Sequence, residues 1–179
     1  MQGRIPIRSA AAIFYFKKTS PIRSLIHSFK YHDDPQLAIS LGREMGRRIV
    51  AANTMTDYDF LIPVPLHKTK LRLRGYNQSL MLAHGISLAT NIPVCDDALI
   101  RHVNTNTQTR LKGEERLQNV KNVFSLTPQA SEELTGRKVL IIDDVYTTGA
   151  TTEECANTLL QIPNLSVGIL TLAYAKSGE

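Results

Sequence analysis

Two adjacent carboxylates, Asp143 and Asp144, close the apolar run Val139-Leu140-Ile141-Ile142, and Thr147, Thr148, Gly149, Ala150 and Thr151 follow them. Hydroxyls clustered with a glycine just ahead of a helix suit one kind of ligand group. Loop amides, backed by the positive end of a helix dipole, hold a phosphate monoester. Thr147, Thr148 and Thr151 add hydroxyl donors, and Gly149 lets the backbone approach closely or take positive φ. Carboxylates repel phosphate, so the acid pair calls for a hydroxylated part of the ligand. A vicinal diol gives two charge-assisted hydrogen bonds to such acceptors. A phosphate and a diol about a sugar's width apart describe a ribose 5-phosphate.

Placing those groups takes a strand, a turn and a helix. Four apolar, mostly β-branched residues bounded by turn residues read as a strand buried on both faces, as in a parallel sheet. Thr151-x-x-Glu154 fits a capping box, which predicts a helix from about Thr151, with Cys155, Ala156, Leu159 and Leu160 on its apolar face. The acids then lie at the carboxyl end of the strand, where open α/β sheets bind ligands.

Upstream, residues 10–16 (AAAIFYF) read as a strand, pairing with residues 4–8 as a small hairpin. Ser20-Pro21 starts a helix striped by Ile22, Leu25, Ile26 and Phe29. Asp33-Asp34 reads as a turn capping a second helix marked by Leu37, Leu41, Met45 and Ile49. Residues 60–65 form a short strand whose ladder stops at Ile62, because Pro63 has no N–H to give. A basic loop follows, carrying Leu66, His67, Lys68, Lys70, Arg72 and Arg74, and leads past Gln78 into a helix striped by Met81, Leu82, Gly85, Ile86 and Ala89. Cations between a strand and a helix suit a second anionic group; a solvated basic turn accounts for them equally well. Residues 99–103 and 166–173 read as further strands, and the alternation of strands and helices from residue 60 argues for a parallel sheet.

Composition sets the outer bounds. At 179 residues and 42% hydrophobic, the chain suits one domain with an ordinary core. No apolar run approaches the ~20 residues that span a bilayer, and no signal peptide is visible, so the expected location is the cytoplasm. Cys95 and Cys155 are isolated and show neither zinc-ligand nor disulfide spacing. Charge is uneven: residues 1–124 hold 18 Lys/Arg against 9 Asp/Glu, and residues 125–179 hold 3 against 7. Such a distribution suits a polyanionic ligand or a nucleic acid, and solvated helix faces explain much of it as well.

Residues 139–151 resemble the phosphoribosyl-pyrophosphate (PRPP) motif of type I phosphoribosyltransferases: an apolar strand, Asp-Asp, three residues, then Thr-Gly-x-Thr. A response-regulator-like acid pair, or a turn capped by Asp144, is the competing reading of Asp-Asp alone. The run from Val64-Pro-Leu-His-Lys to Arg74-Gly-Tyr-Asn-Gln78 is similar to the signature of ComF-type proteins, a branch associated with competence for DNA uptake. Residues 105–124 resemble that branch again, with Gln108 and Leu111 at slightly different spacing. ComF-type proteins commonly carry an N-terminal four-cysteine zinc segment that this chain does not show, so no role of that segment is carried over.

The resemblance implies an α/β fold of type I phosphoribosyltransferase kind: a central, mostly parallel sheet, helices on both faces, and a small N-terminal strand and helix appendage. Residues 1–179 would form one domain, with 1–55 as the N-terminal part and 56–179 as the PRPP-binding core. Asp143 and Asp144 would hold the ribose hydroxyls, and Thr147, Thr148, Gly149, Ala150 and Thr151 the 5-phosphate. Leu66, His67 and Lys68, with Arg72 and Arg74, would meet the pyrophosphate, and Gln78 would lie nearby. Residues 104–121 would form a flexible lid with Arg110, Lys112 and Arg116 as its donors. The implied activity is a pentosyl transfer from PRPP, carried with Mg²⁺, to an unidentified acceptor, and no catalytic base is named. A PRPP sensor, or a binder of single-stranded DNA or of competence machinery, is the alternative; membrane insertion is not expected, and homo-oligomerisation is left open.

Overall fold

The computed structural model describes residues 5–16, 28, 34–103 and 123–175. Four strands, β1 (Ile7–Phe16), β2 (Phe60–Pro63), β5 (Lys138–Tyr146) and β6 (Ser166–Ala175), form one parallel sheet in the order β1-β6-β5-β2. Alternation along the two central strands assigns their side chains to two cores. Val139 and Ile141 join Val167 and Ile169 on one face, while Leu140 and Ile142 join Leu170 and Leu172 on the other. The first face is covered by α5 (Ala150–Leu159) through Cys155, Ala156 and Leu159, and by Leu134 of the short α4 (Ala130–Leu134). The second is covered by α1 (Pro35–Ala51) and α3 (Gln78–Thr90) through Met45, Ile49, Leu82 and Ile86. Helices on both faces of a parallel sheet make the expected α/β architecture.

The helices begin where their sequences allow. Asp34 caps α1, its Oδ1 accepting from the Leu37 N–H at 2.9 Å, with Pro35 at the first helical position. Asn77 caps α3 in the same way, accepting from the Ser79 N–H at 3.0 Å. The two helices approach closely because glycines meet at their contact. A Cβ on Gly85 would lie 2.1 Å from the Ile39 carbonyl oxygen, and one on Gly42 would lie 2.2 Å from that of Leu82.

Several local expectations change. The N-terminal strand does not pair with residues just before it; β1 runs from Ile7 and joins the edge of the main sheet beside β6. β2 continues to Pro63, which an edge strand tolerates because its missing N–H interrupts no second ladder there. The basic segment is not a loop but a short helix, α2 (Lys68–Arg74). Residues 99–103 do not extend the parallel sheet: β3 (Leu99–Arg101) pairs antiparallel with β4 (Phe124–Leu126) as a separate ribbon. Of the expected helix after Ser20, only Ser28, which is helical, falls within the described residues.

Candidate functional site

β5 carries the acid pair in its last half and continues to Tyr146, which faces Tyr174 of β6. Asp143 is held from two sides: its Oδ1 accepts from the Ser79 hydroxyl at 3.1 Å and from the Asp144 N–H at 2.9 Å. Asp144 Oδ1 accepts from the Val145 N–H at 2.7 Å. The first turn of α3 therefore fixes one acid, and the strand's own backbone fixes the other.

The loop that follows enters α5 through Gly149, whose φ of 83° lies in the left-handed region. The helix starts at Ala150 and the expected capping box does not form: Gly149 is the N-cap and has no side chain to offer, while the Thr148 hydroxyl accepts from the Ala150 N–H at 3.4 Å. Entry through a left-handed glycine starts the helix one residue early and leaves Thr151 inside it. Thr152 instead donates its hydroxyl to the Gly149 carbonyl at 3.0 Å. Thr147, Thr148, Gly149, Ala150 and Thr151 line one pocket together with Asp143 and Tyr146. Thr147, Thr148 and Ala150 are exposed at its mouth.

Beside that pocket a groove runs between β5 and the α2–α3 connection. It collects Leu66, Arg74, Gln78, Asp143, Asp144 and Thr151 from the expected set, and adds Lys70, Ser79 and Arg101. His67, Lys68 and Arg72 do not line it. The His67 Nδ1 accepts from the Thr69 N–H at 3.2 Å and so caps α2, while Lys68 and Arg72 are exposed. Helical geometry explains the division, since residues four apart share a face and Lys70 and Arg74 are such a pair. The sequence signal for this lay in the period, which a loop reading could not use.

Gln78 is 2% exposed, and its Oε1 accepts from Arg74 Nη1 at 3.0 Å. Its Nε2 is buried without a hydrogen-bond partner. Arg101 reaches the groove from β3, its guanidinium 5.3 Å from the Phe124 ring centre and its Nε donating to the Val103 carbonyl at 3.2 Å. Burial lowers the Arg101 pKa and the nearby Cys155 and Asp143 oppose that shift; a guanidinium stays charged under such a balance. Burial, then Asp143, pushes the Cys155 thiol well above its ordinary range, which leaves it a packed thiol rather than a nucleophile. Arg110, Lys112 and Arg116 lie outside the described residues. Arg101, which lines the groove, pairs directly with Phe124 across the ribbon.

The family model for the phosphoribosyl transferase domain matches residues 78–179. The chain belongs to that family. Its relatives place it in the ComF-type branch. It is 32% identical to Competence protein F of Haemophilus influenzae over 158 residues, covering 87% of this chain and 69% of that protein. It is 33% identical to the DNA utilization protein YhgH of Escherichia coli K12 over 144 residues, which is 79% of this chain and 62% of that protein. Competence protein ComFC of Bacillus subtilis is 29% identical over 141 residues and is covered over 54% of its length. Among solved structures, the glutamine PRPP amidotransferase of Bacillus subtilis, complexed with ADP and GMP, superposes with a TM-score of 0.50 at 20% identity, over 79% of this chain and 30% of that one. An allosteric regulatory enzyme of purine biosynthesis gives the same TM-score at 21% identity. These neighbours share the fold of the phosphoribosyl transferase domain. No helix among the described residues is long and apolar enough to cross a membrane.

Proposed function

We propose that the protein binds PRPP and transfers its 5-phosphoribosyl group to a nucleophilic acceptor. The observation that carries this reading is the junction of a hydroxyl-rich helix N-terminus with an acid pair, both opening onto a groove lined by Lys70, Arg74 and Arg101. The loop at 147–151 would take the 5-phosphate, Asp143 and Asp144 the ribose hydroxyls, and the groove the pyrophosphate. In the reaction the bond from C1 of the ribose to the pyrophosphate oxygen breaks, its electron pair leaves with pyrophosphate, and the acceptor's lone pair forms the new bond to C1. Such a transfer needs positioning and charge neutralisation more than covalent help from the protein. Two adjacent carboxylates beside a phosphate-binding groove are hard oxygen donors of the kind Mg²⁺ accepts in small number, the rest coming from ligand oxygens and water. Bound there, Mg²⁺ would spread the charge of the departing pyrophosphate. By resemblance, Arg110, Lys112 and Arg116 would close over the ligand.

A second reading is a protein that holds single-stranded DNA or a competence partner, with the PRPP site as a sensor. It is favoured by the names of the relatives and by α2, whose Lys68 and Arg72 are exposed and do not line the groove. Calorimetric titration with PRPP/Mg²⁺, beside a single-stranded oligonucleotide at two salt concentrations, separates the readings. The proposed activity predicts saturable PRPP heat that the Asp143→Asn/Asp144→Asn variant loses by about 100-fold, given roughly 1.5–3 kcal/mol for each hydrogen bond to a charged acceptor. The variant should fold normally, because an amide oxygen still accepts from Ser79. PRPP binding left intact in that variant, or tight salt-dependent oligonucleotide binding without PRPP heat, would reverse the assignment.

A further inference from the structure

Tyr146 borders two pockets. It lines the phosphate-loop pocket, where a Cβ placed on Gly149 would lie 2.2 Å from the Tyr146 hydroxyl. It also lines a separate cavity of about 270 Å³, with Tyr174 beside it. The cavity's floor is built by register. Ala10 and Ala12 of β1 sit next to Ile169 and Thr171 of β6, and all four line it. Alanines leave that floor flat. The two tyrosine rings stand 6.0 Å apart between centres, tilted by 32°.

Two features point to an occupant. Thr171 is 1% exposed, yet its Oγ1 has no hydrogen-bond partner, and buried hydroxyls rarely go unpaired. Among the described residues no charged side chain lines the cavity, so these offer nothing to compensate a charged ligand. We propose that this cavity binds a neutral, planar heteroaromatic ring of nucleobase size, with its face against Tyr146 and Tyr174 and its polar edge on Thr171 Oγ1. A hydroxyl both donates and accepts, so it can meet a ring nitrogen, an N–H or an exocyclic oxygen, while aromatic walls favour a flat π-system. Neither Asp143 nor Asp144 lines the cavity, so the inference does not depend on the phosphoribosyl reading.

The chain has no tryptophan, which makes tyrosine emission a direct reporter. Adenine, guanine, cytosine and uracil are titrated into the wild-type protein by fluorescence and calorimetry, with benzoate as a charged ring control and ribose 5-phosphate as a separate arm. At least one neutral base should quench tyrosine emission saturably, and benzoate should not. Ala12→Leu, which fills the floor, should weaken that binding at least tenfold and leave ribose 5-phosphate affinity unchanged. Thr171→Val, an isosteric change, should weaken it about fivefold and leave the melting temperature the same or higher, since it removes an unpaired hydroxyl. If Ala12→Leu fails to fold, Thr171→Val alone decides. The proposal is overturned if no base binds, if benzoate binds as well as the bases, if both variants bind a base as wild type does, or if Thr171→Val melts lower. Loss of ribose 5-phosphate binding with base binding intact would count against the phosphate loop and not against this cavity.

Discussion

Gly149 carries two constraints at once, a left-handed φ of 83° and the Tyr146 hydroxyl where a side chain would go. Gly149→Val should therefore reduce ribose 5-phosphate affinity by at least about tenfold. Its stability cost should stay near the ~1–2 kcal/mol of a strained left-handed residue, because the loop can yield at its exposed side; calorimetry and thermal melting read the two effects apart. Gln78 makes a complementary prediction. Gln78→Met keeps the volume but removes the unpartnered Nε2 and the acceptor that orients Arg74. Pyrophosphate affinity should fall roughly tenfold, about the worth of one hydrogen bond to a charged group, while ribose 5-phosphate affinity holds. Equal losses for both ligands would show that Gln78 supports the whole site rather than the groove. The acid pair and the phosphate loop were legible because they are contiguous in the chain. Lys70, Ser79 and Arg101 were not, since only the packing of α2, α3 and β3 against β5 gathers them.

At the scale of elements, legibility followed periodicity. The buried stripes of α1 and α3 and the apolar run of β5 could be read directly, because burial imposes a pattern. The basic segment 68–74 has no buried residue and so no stripe, although it is helical. β3 and β4 have three residues each, too few to show a period, and their antiparallel pairing had no turn signal to announce it. The α1–α3 contact was half legible: Gly85 was placed on the buried stripe, but its closeness to Ile39 and Gly42 depends on the other helix. Gly85→Ala should cost about 3 kcal/mol or more, because its Cβ would meet backbone atoms that cannot swing aside. Gly136→Ala is the useful contrast, with a φ of 73° and nothing near its would-be Cβ; it should cost only about 1–2 kcal/mol. Thermal melting followed by far-ultraviolet circular dichroism measures both. Equal shifts would mean the helices can separate at little cost.

At the scale of the molecule, the site lies at the carboxyl ends of β2 and β5, the neighbours at one side of the sheet, and the sequence between the two strands of the antiparallel ribbon includes residues 104–121. That segment has only Leu111, Leu117 and Val120 as sizeable aliphatic anchors. Their burial returns about 1.5–3 kcal/mol each, against roughly 1–2 kcal/mol for ordering each residue's backbone. Hydrogen exchange should therefore show protection there gained on adding PRPP/Mg²⁺ and lost when Arg110, Lys112 and Arg116 are neutralised; equal protection with and without ligand would remove the lid. The opposite side of the sheet has a different consequence. Among the described residues β1 pairs only with β6, with Ile7 opposite Val167 and Phe16 opposite Ala175. During synthesis β1 emerges ahead of the other strands of this sheet and must wait for its ladder until β6, the last of the four, has followed it. Pairings so distant along the chain form slowly, and an unpaired strand is exposed to aggregation meanwhile. The waiting segment is the alanine-rich floor of the tyrosine-walled cavity, so that cavity cannot exist on a nascent chain until the sheet has closed.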